Sequence, residues 1–299
     1  MELTFLGTSS MVPTKSRNHS SILISYGSEG ILVDCGEGTQ RQLKIAGIPL
    51  TKVSIILISH WHGDHVLGLP GLLQTLGSST TGHKVRIFGP KGTIAQVELM
   101  KKAFLMENVK SGLSVDVVDV DEGAFLEKDD FRLEARQLSH STLCLGYSFM
   151  EKNKIHIDLQ AVKKLGLPEG PLLGQLQQGK QVRWKERTIK PSDVVYSTKG
   201  KKVTVIMDTE FCLAAVELAQ DSDLLICEST YANSLEEKAR EYKHLTAGQA
   251  AAIANKARVG KLLLTHFSQR YKTTEEIESD ARTVFDNVAC AKDFMKVRV

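Results

Sequence analysis

The sequence predicts one α/β domain that carries an inserted basic arm. With 299 residues and a mass of 33.0 kDa, the chain is large enough for one sizeable core but too short for several independent domains. Residues 246–259 carry Ala and Ile at helical spacing behind Thr246, a good N-cap residue. Short apolar runs rich in β-branched residues and bounded by polar ones are typical of buried strands. Four such runs lie at 53–59, 203–207, 224–226 and 261–265.

The composition is that of an ordinary globular protein. Hydrophobic residues make up 42% of the chain and charged residues 24%, which argues against a disordered or fibrous protein. The N-terminus lacks a basic stretch followed by a long apolar one, and no apolar run reaches the length of a membrane span. The five scattered cysteines form no C-x-x-C pair, which favours a reducing compartment. We therefore expect a cytoplasmic protein without a membrane segment.

Positive charge is concentrated in one segment. The net charge is +3, yet residues 151–202 hold twelve Lys or Arg and five Asp or Glu, a local +7, so the rest of the chain carries about −4. Within this segment, residues 165–174 are rich in Gly and Pro, which interrupt both the helical and the strand period. We predict a basic arm at about 151–200, inserted in a chain that is otherwise a single domain.

The strongest chemical signal is the run His60-Trp61-His62-Gly63-Asp64-His65, which directly follows a predicted strand. Its imidazoles and carboxylate suit zinc and similar divalent ions, and the glycine lets neighbouring side chains converge. His140 follows residues 135–139, and Asp208 and His266 follow two of the predicted strands. Taken singly, each is more often a structural histidine or a turn aspartate. Their order after the H-x-H-x-D-H run predicts a metal site at one edge of a sheet.

The ordered donors resemble the motifs of the metallo-β-lactamase superfamily. The resemblance implies an αββα sandwich, from which the basic arm would protrude as a flexible element. It also implies two zinc ions per chain, with Mn²⁺ or another divalent ion as an alternative. One ion would be held by His60, His62 and His140, the other by Asp64, His65 and His266, with Asp208 bridging both.

Over essentially its whole length the sequence is also similar to ribonuclease Z, a family of tRNA 3′-processing endonucleases. The similar stretches are 5–10, 13–18, 34–42 and 266–271. Residues 165–174, with their Gly170-Pro171 pair, also resemble the family's flexible arm. This resemblance implies removal of the 3′ trailer from precursor tRNA, which leaves a 3′-hydroxyl on the tRNA and a 5′-phosphate on the trailer. It further implies a homodimer in which the arm of one subunit serves the other.

Three side chains are candidates for the proton transfers. Asp64 would orient the attacking water and accept its proton. His244 resembles the family's histidine that is not a metal ligand, which would protonate the leaving ribose oxygen. Glu228 matches the carboxylate of a box usually written His-Glu-Ala-Thr and would orient His244, although Cys227 and Ser229 replace the His and the Ala.

The predicted substrate contacts lie in three places. Lys15 and Arg17 suit phosphate groups, and Asn18 suits a base or ribose edge. The basic arm suits the backbone of the tRNA body, which is bound through charge rather than base sequence. The other predicted contacts are Arg270 in the last motif and, in the arm, Lys163, Lys164, Gly170 and Pro171.

Other functions are compatible with parts of the pattern. A hydrolase of a small phosphodiester or another ester would use the same ligands, because this fold supports several reactions, but it leaves residues 15–18 unexplained. A non-catalytic RNA-binding protein would not need seven coordinating side chains. The β-CASP nucleases carry a large domain before the last ligand, for which the 57 residues between Asp208 and His266 leave no room.

Overall fold

Two seven-stranded sheets dominate the structure, a computed structural model that describes residues 1–79, 81–104, 106 and 112–299. The strands are β1 Glu2–Gly7, β2 Ser21–Tyr26, β3 Glu29–Val33, β4 Ile55–Leu57, β5 Thr81–Pro90, β6 Gly112–Val120, β7 Gly123–Glu127, β8 Phe131–Leu138, β9 Cys144–Glu151, β10 Lys154–Ile157, β11 Val182–Trp184, β12 Arg187–Ile189, β13 Val195–Thr198, β14 Lys202–Ile206, β15 Leu224–Glu228, β16 Leu262–Thr265, β17 Val288–Cys290 and β18 Lys296–Arg298. The helices are α1 Thr39–Ile45, α2 Gly63–Val66, α3 Leu69–Ser79, α4 Thr93–Ala103, α5 Leu159–Leu165, α6 Pro171–Gln177, α7 Leu213–Ala219, α8 Glu236–Tyr242, α9 Ala247–Lys256 and α10 Glu275–Arg282. Across the described residues, no helix combines the length and apolar character needed to cross a membrane.

Parallel strands bring several carboxyl ends to one edge of each sheet. The first sheet has the order β18-β1-β2-β3-β4-β5-β6, antiparallel from β18 to β3 and parallel from β3 to β6. The second has the order β17-β16-β15-β14-β9-β8-β7, in which β14 to β17 are parallel. Parallel neighbours need long crossover connections, and helices α7 to α10 lie in those between β14 and β17.

Each sheet packs against helices on one face and against the other sheet on the opposite face. Apolar side chains of α1, α3 and α4 share a core with the first sheet, and those of α7, α9 and α10 share a core with the second. Between the sheets, the Tyr147 hydroxyl donates to the Ile58 carbonyl at 2.7 Å, and the rings of Tyr26 and Phe149 lie 5.1 Å apart. The predicted αββα sandwich is therefore confirmed.

The chain divides into two compact units. The larger comprises Met1–Glu127, Leu133–Phe149 and Lys202–Val299, and the smaller comprises Lys128–Arg132 and Met150–Lys201. The smaller unit contains β10 to β13 with α5 and α6. It has an apolar core of its own, formed by Val162, Leu167, Leu176, Val182, Ile189 and Val194.

The Gly- and Pro-rich part of the smaller unit is more regular than its sequence predicts. Residues 165–174 include the end of α5 and the first half of α6, which begins at Pro171. Proline suits the first helical position because its missing N–H has no partner there in any case. Gly170 precedes it at φ 130°, a conformation that favours glycine. The Gly-Pro pair therefore starts a helix instead of interrupting one.

The predicted helix and strands in the larger unit are present, with one difference. Helix α9 begins after Thr246, whose side chain accepts from the Gln249 N–H in a reciprocal capping box. Three of the predicted strands correspond to β14, β15 and β16. The fourth, at 53–59, has only 3 residues as β4. After β4, the Ile58 N–H still donates to the Phe88 carbonyl of β5, whereas the Ser59 N–H donates to the Asp34 carboxylate at 2.7 Å.

A candidate metal centre

Polar side chains follow several strands at one edge of the two sheets, next to a cavity of about 740 Å³. In the first sheet, His60 and helix α2 come shortly after β4. In the second sheet, His140 follows β8, Asp208 follows β14 and His266 follows β16. The carboxyl ends of parallel strands meet at the same edge, which is where α/β proteins place their ligand sites. The fold therefore collects residues that are far apart in the chain.

Four of these side chains form a first donor group. The Nε2 atom of His60 lies 2.9 Å from Nδ1 of His62, which in turn lies 3.3 Å from Nε2 of His140. One carboxylate oxygen of Asp208, Oδ2, lies 3.6 Å from His60 Nε2 and 3.8 Å from His140 Nε2. All four donor atoms fall within 4.8 Å of one another, so one cation can contact them all.

A second donor group faces the other carboxylate oxygen of Asp208. This oxygen, Oδ1, lies 3.1 Å from His266 Nε2 and 3.5 Å from His65 Nε2. Asp64 completes the group, with Oδ2 at 3.2 Å from His65 Nε2 and 3.4 Å from His266 Nε2. The structure thus brings together all seven side chains that the sequence predicted as ligands, and each oxygen of Asp208 serves one group.

The donor atoms are arranged as a divalent cation requires. In the described part of the chain, neither Nε2 of His65 nor Oδ1 of Asp208 has a hydrogen-bond partner, although both atoms are buried. A tetrahedral zinc ion with bonds of about 2.0 Å holds its ligands about 3.3 Å apart, and the separations in the two groups lie close to that value. The residues present therefore fit a metal ion in each group.

The electrostatics of the cluster also favour a cation. Burial lowers the pKa of His60 and of His140, so both imidazoles are neutral and keep a lone pair for a metal. Burial acts in the same direction on His65, but the carboxylates of Asp208 and Asp34 raise the pKa of His65 well above its usual value. These carboxylates favour positive charge beside His65, which a metal ion supplies in place of a proton.

Two imidazoles of the first group are oriented through their second ring nitrogen. His60 Nδ1 lies 3.0 Å from Ser59 Oγ, and His140 Nδ1 lies 3.0 Å from the Lys243 carbonyl. Because a carbonyl only accepts, Nδ1 of His140 is the donor, and Nε2 is left as the nitrogen with a lone pair. Contacts of this kind set the tautomer and the direction of a metal-binding imidazole.

Asp34 orients His65 and was not among the predicted site residues. It follows β3, is fully buried and adopts a left-handed backbone conformation (φ 58°). Its Oδ2 lies 2.7 Å from His65 Nδ1 and accepts from the Ser59 hydroxyl at 2.8 Å. A carboxylate in this position raises the basicity of a ligand imidazole. The sequence held a usable signal, because Asp34 directly follows a short apolar run, as Asp208 does.

Asp34→Asn is expected to weaken metal binding about 10- to 100-fold, because an amide is a weaker acceptor for His65 than a carboxylate. Asparagine tolerates the left-handed conformation, so the change adds little backbone strain. Competition with a chromophoric chelator measures the metal affinity. The matched control is Asp286→Asn at an exposed position. Equal affinities in the two variants would contradict the orienting role of Asp34.

His244 lies beside the two donor groups. Its Nδ1 is 2.9 Å from Glu228 Oε1 and 3.9 Å from Asp208 Oδ2. Burial lowers the pKa of His244, but Glu228 and Asp208 outweigh burial and raise the pKa to about 9. Glu228 is fully buried and also accepts from the N–H groups of Thr209 and Thr230. It therefore holds the His244 ring through Nδ1, and the described residues show no hydrogen bond to Nε2.

Glu228, His244 and His266 are also close enough to form a third donor group. The hydroxyl of Thr230 donates to Glu228 Oε2 at 2.7 Å and lies 2.9 Å from His266 Nδ1. Both oxygens of Glu228 are therefore already used by hydrogen bonds, and His266 faces the second donor group through its other nitrogen. We assign these three residues to hydrogen bonding around the metal donors.

The predicted substrate residues of the larger unit lie in different environments. Lys15 and Arg270 are exposed, and Arg270 lines the cavity with its guanidinium 5.3 Å from the Tyr231 ring centre. Arg17 is only 9% exposed, and its guanidinium donates to backbone carbonyls. The Asn18 side chain donates to another carbonyl at 2.7 Å. Three residues of the 13–18 loop were predicted to contact the substrate. Among them, only Lys15 has the exposure expected of a phosphate ligand.

The other predicted substrate residues belong to the smaller unit. All four are exposed: Lys163 and Lys164 lie on α5, and Gly170 and Pro171 lie at the start of α6.

Residues 1–164 match the family model described as "Anti-Pycsar protein Apyc1". The chain is 43% identical to Ribonuclease Z of Methanothermobacter thermautotrophicus, over 100% of this chain and 97% of that protein. It is 37% identical to Ribonuclease Z of Methanosarcina acetivorans, over 100% of this chain and 98% of that protein. The crystal structure of human tRNase Z, short form, matches with a TM-score of 0.71 and 26% identity, over 100% of this chain and 99% of that one. The metallo-β-lactamase fold protein YhfI from Bacillus subtilis matches with a TM-score of 0.71 and 19% identity, over 99% and 98%, which shows the fold alone.

The fold and the donor cluster define this chain as a metal-dependent hydrolase of the metallo-β-lactamase fold. Within that class the chain belongs to the ribonuclease Z family, because relatives well above 30% identity cover it from end to end. Its residues 1–164 also belong to the family that the Apyc1 model describes, but that part ends before Asp208, His244 and His266. The full-length relatives therefore decide the assignment.

Proposed function

We propose that this chain removes the 3′ trailer from precursor tRNA by endonucleolytic cleavage, leaving a 3′-hydroxyl on the tRNA and a 5′-phosphate on the trailer. The observation that carries the proposal is the division of Asp208 between two donor groups, beside a histidine held by Glu228. Such an arrangement suits phosphodiester hydrolysis. The relatives named Ribonuclease Z and tRNase Z support tRNA as the substrate.

The metal centre is proposed to hold two zinc ions, which Mn²⁺ or another divalent ion can replace. When bound, such ions lower the pKa of a water molecule and offset negative charge on the phosphate. The first ion would be held by His60, His62 and His140, the second by Asp64, His65 and His266, with Asp208 shared.

Protein side chains position the water and supply the proton for the leaving group. Asp64 lines the cavity and is ionised, because His65 and His266 outweigh the effect of burial and lower the pKa of Asp64. It accepts a hydrogen bond from the attacking water and takes up the proton as the new P–O bond forms. His244, held through Nδ1 by Glu228, donates a proton from Nε2 to the ribose 3′ oxygen as it leaves.

The rim of the cavity suits single-stranded RNA. Three large apolar side chains there are exposed, Met11 at 73%, Leu67 at 56% and Tyr242 at 49%. Unpaired bases stack on apolar and aromatic side chains, whereas phosphates need cations such as Arg270, which lines the cavity. The combination supports an RNA strand as the substrate in preference to a small ester.

We further propose a homodimer that acts in the cytoplasm. All five cysteines are free, which suits a reducing compartment. The dimer rests on the family resemblance, in which the arm of one subunit serves the other. Size-exclusion chromatography with light scattering tests it, and a monomer at micromolar concentration would oppose it.

The proposed function is tested by incubating the purified chain with a precursor tRNA that carries a 3′ trailer. We expect one cut at the 3′ side, which a chelator abolishes and zinc restores, and end analysis should find the 3′-hydroxyl and the 5′-phosphate. Binding without cutting would favour the non-catalytic RNA-binding protein. Hydrolysis of bis(p-nitrophenyl) phosphate without cleavage of precursor tRNA would favour a hydrolase of small esters.

Replacing residues 163–190 by a short Gly/Ser linker is expected to raise KM for precursor tRNA while hydrolysis of a small phosphodiester continues. The proposed ligands and His244 lie outside the deletion, whereas seven basic residues are lost, among them Lys164, Arg183 and Lys185. Wild-type binding should weaken steeply with salt, and binding by the variant should weaken less.

The deletion also removes part of the apolar core of the smaller unit, so a second variant replaces the same basic residues, all exposed, by Gln. The matched control replaces exposed Lys44 and Lys256 of the larger unit. Unchanged kcat/KM on precursor tRNA in both arm variants would exclude the arm from substrate binding.

A further inference from the structure

Arg17 lies inside the protein and connects two loops at the edge of the cavity. Its Nη2 donates to the Tyr271 carbonyl and, at 3.4 Å, to the Ser268 carbonyl. Its guanidinium carbon lies 5.7 Å from the centre of the Phe267 ring. Residues 13–18 form the first loop, and residues 266–271 form the second. Its Nε has no hydrogen-bond partner in the described structure but is buried, and the whole side chain is only 9% exposed, so the guanidinium is poorly accessible to a phosphate.

Asp293 holds the first loop from the opposite end of the chain. Its Oδ2 accepts from the backbone N–H of Asn18 at 2.8 Å and from Gln42 Nε2 at 3.1 Å. Its Oδ1 accepts from the Thr8 hydroxyl at 2.8 Å. Burial lowers the pKa of Arg17 and raises the pKa of Asp293, and the opposite charge of each residue offsets part of the shift in the other.

The segment just before the first loop is joined to the second loop along the backbone. The Ser10 N–H donates to the Phe267 carbonyl at 3.1 Å, and the Phe267 N–H donates to the Thr8 carbonyl at 2.8 Å. Each loop then presents one exposed cation: Lys15 in the first and Arg270 in the second. The buried contacts therefore fix the backbone from which both cations project.

We propose that Arg17 and Asp293 are positioning residues, which hold the loops at 13–18 and 266–271 so that Lys15 and Arg270 meet the phosphates of the RNA. This inference rests on the proposed function and assigns Arg17 a role different from the phosphate contact that its sequence suggested. Burying a charged side chain is costly unless it is paired and hydrogen-bonded. Nη2 of Arg17 and both carboxylate oxygens of Asp293 are hydrogen-bonded within the protein, while Nε of Arg17 is buried without a partner among the described residues.

Two substitutions separate positioning from phosphate contact. Arg17→Lys keeps the charge, so a phosphate contact would largely survive, but the shorter lysine has no planar guanidinium to lie over the Phe267 ring and reach both carbonyls. Asp293→Asn removes a negative charge, which by simple electrostatics favours RNA binding. We expect both variants to raise KM for precursor tRNA about 10-fold or more, with a smaller change in kcat. Arg298→Lys and Asp286→Asn, at exposed positions, are the matched controls and should behave as wild type.

A double-mutant cycle tests whether the effect passes through Lys15. Lys15→Ala alone should raise KM, but in the Asp293→Asn background it should add little, because the lysine is already displaced. Full additivity, or a wild-type KM in both Arg17→Lys and Asp293→Asn, would overturn the proposal.

Hydrogen–deuterium exchange supplies a readout that does not depend on cleavage. Asp293→Asn should speed exchange at 13–18 and also at 266–271, a loop to which Asp293 makes no hydrogen bond in the described structure. Unchanged exchange at 266–271 would contradict the connection through Arg17. If wild type failed to cleave precursor tRNA while exchange rose in both loops of Asp293→Asn, the proposed function would be wrong. The structural role of Arg17 and Asp293 in holding the two loops would still be supported.

Discussion

Asp208→Ala is expected to reduce cleavage of precursor tRNA to background and to leave at most one metal ion per chain. Each carboxylate oxygen of Asp208 faces a different donor group, and no other side chain is shared by the two groups among the described residues. Burial alone would raise the pKa of Asp208, but His266 and His65 lower it well below its usual value. The carboxylate is therefore charged and central to both groups.

Elemental analysis of the dialysed variant measures the metal content, and circular dichroism verifies that the chain is folded. The matched control is Asp129→Ala, which removes an exposed carboxylate and should retain wild-type metal content and activity. Two tightly bound ions per chain in Asp208→Ala would show that Asp208 does not bridge the groups.

His244→Ala is expected to slow cleavage of precursor tRNA by about two to four orders of magnitude, the usual range for a lost general acid, with near-normal metal content. The reason is geometric. Glu228 holds Nδ1 at 2.9 Å, so Nε2 is the nitrogen that can protonate a leaving oxygen, while the seven proposed ligands remain in place.

The leaving group decides between an acid and a structural role. A nitrophenolate leaves without a proton, so His244→Ala should hydrolyse bis(p-nitrophenyl) phosphate at a rate close to that of wild type. His83→Ala, which removes an imidazole from β5, is the control for loss of a histidine elsewhere. An equally large loss on both substrates would contradict the general-acid role.

The side chains proposed as metal donors could be identified from sequence because their signals are local. The H-x-H-x-D-H run places its donors next to one another in the chain, and Asp208 and His266 directly follow apolar runs that are typical of buried strands. The convergence of these runs follows from the geometry of parallel sheets. His140 was predicted from its place in the ordered set of donors, and the family resemblance added His244 and Glu228. The structure places all of them at the same edge.

Local patterns failed where a residue's neighbours come from distant parts of the chain. Gly170 and Pro171 read as breakers of regular structure, yet they start a helix that packs into a small core. Whether such a pair ends or begins a helix depends on the residues that follow it. Here those residues form α6, whose Leu176 packs into the apolar core of the smaller unit. The smaller unit contains the basic segment, but the internal order of that unit was not visible in the composition.

The sequence by itself determined which atoms are available to bind a metal and at which edge of the sheets they gather, because strand period and motif spacing are short-range properties. Only the tertiary structure decided what the polar residues around those atoms do. Arg17 looked like a phosphate ligand, but it donates to carbonyls 251 and 254 positions away. Asp34 orients a histidine 31 positions away. Whether a charged side chain faces solvent or a buried partner is set by desolvation and hydrogen bonding in the folded chain, and neither can be read from the residue's neighbours in sequence.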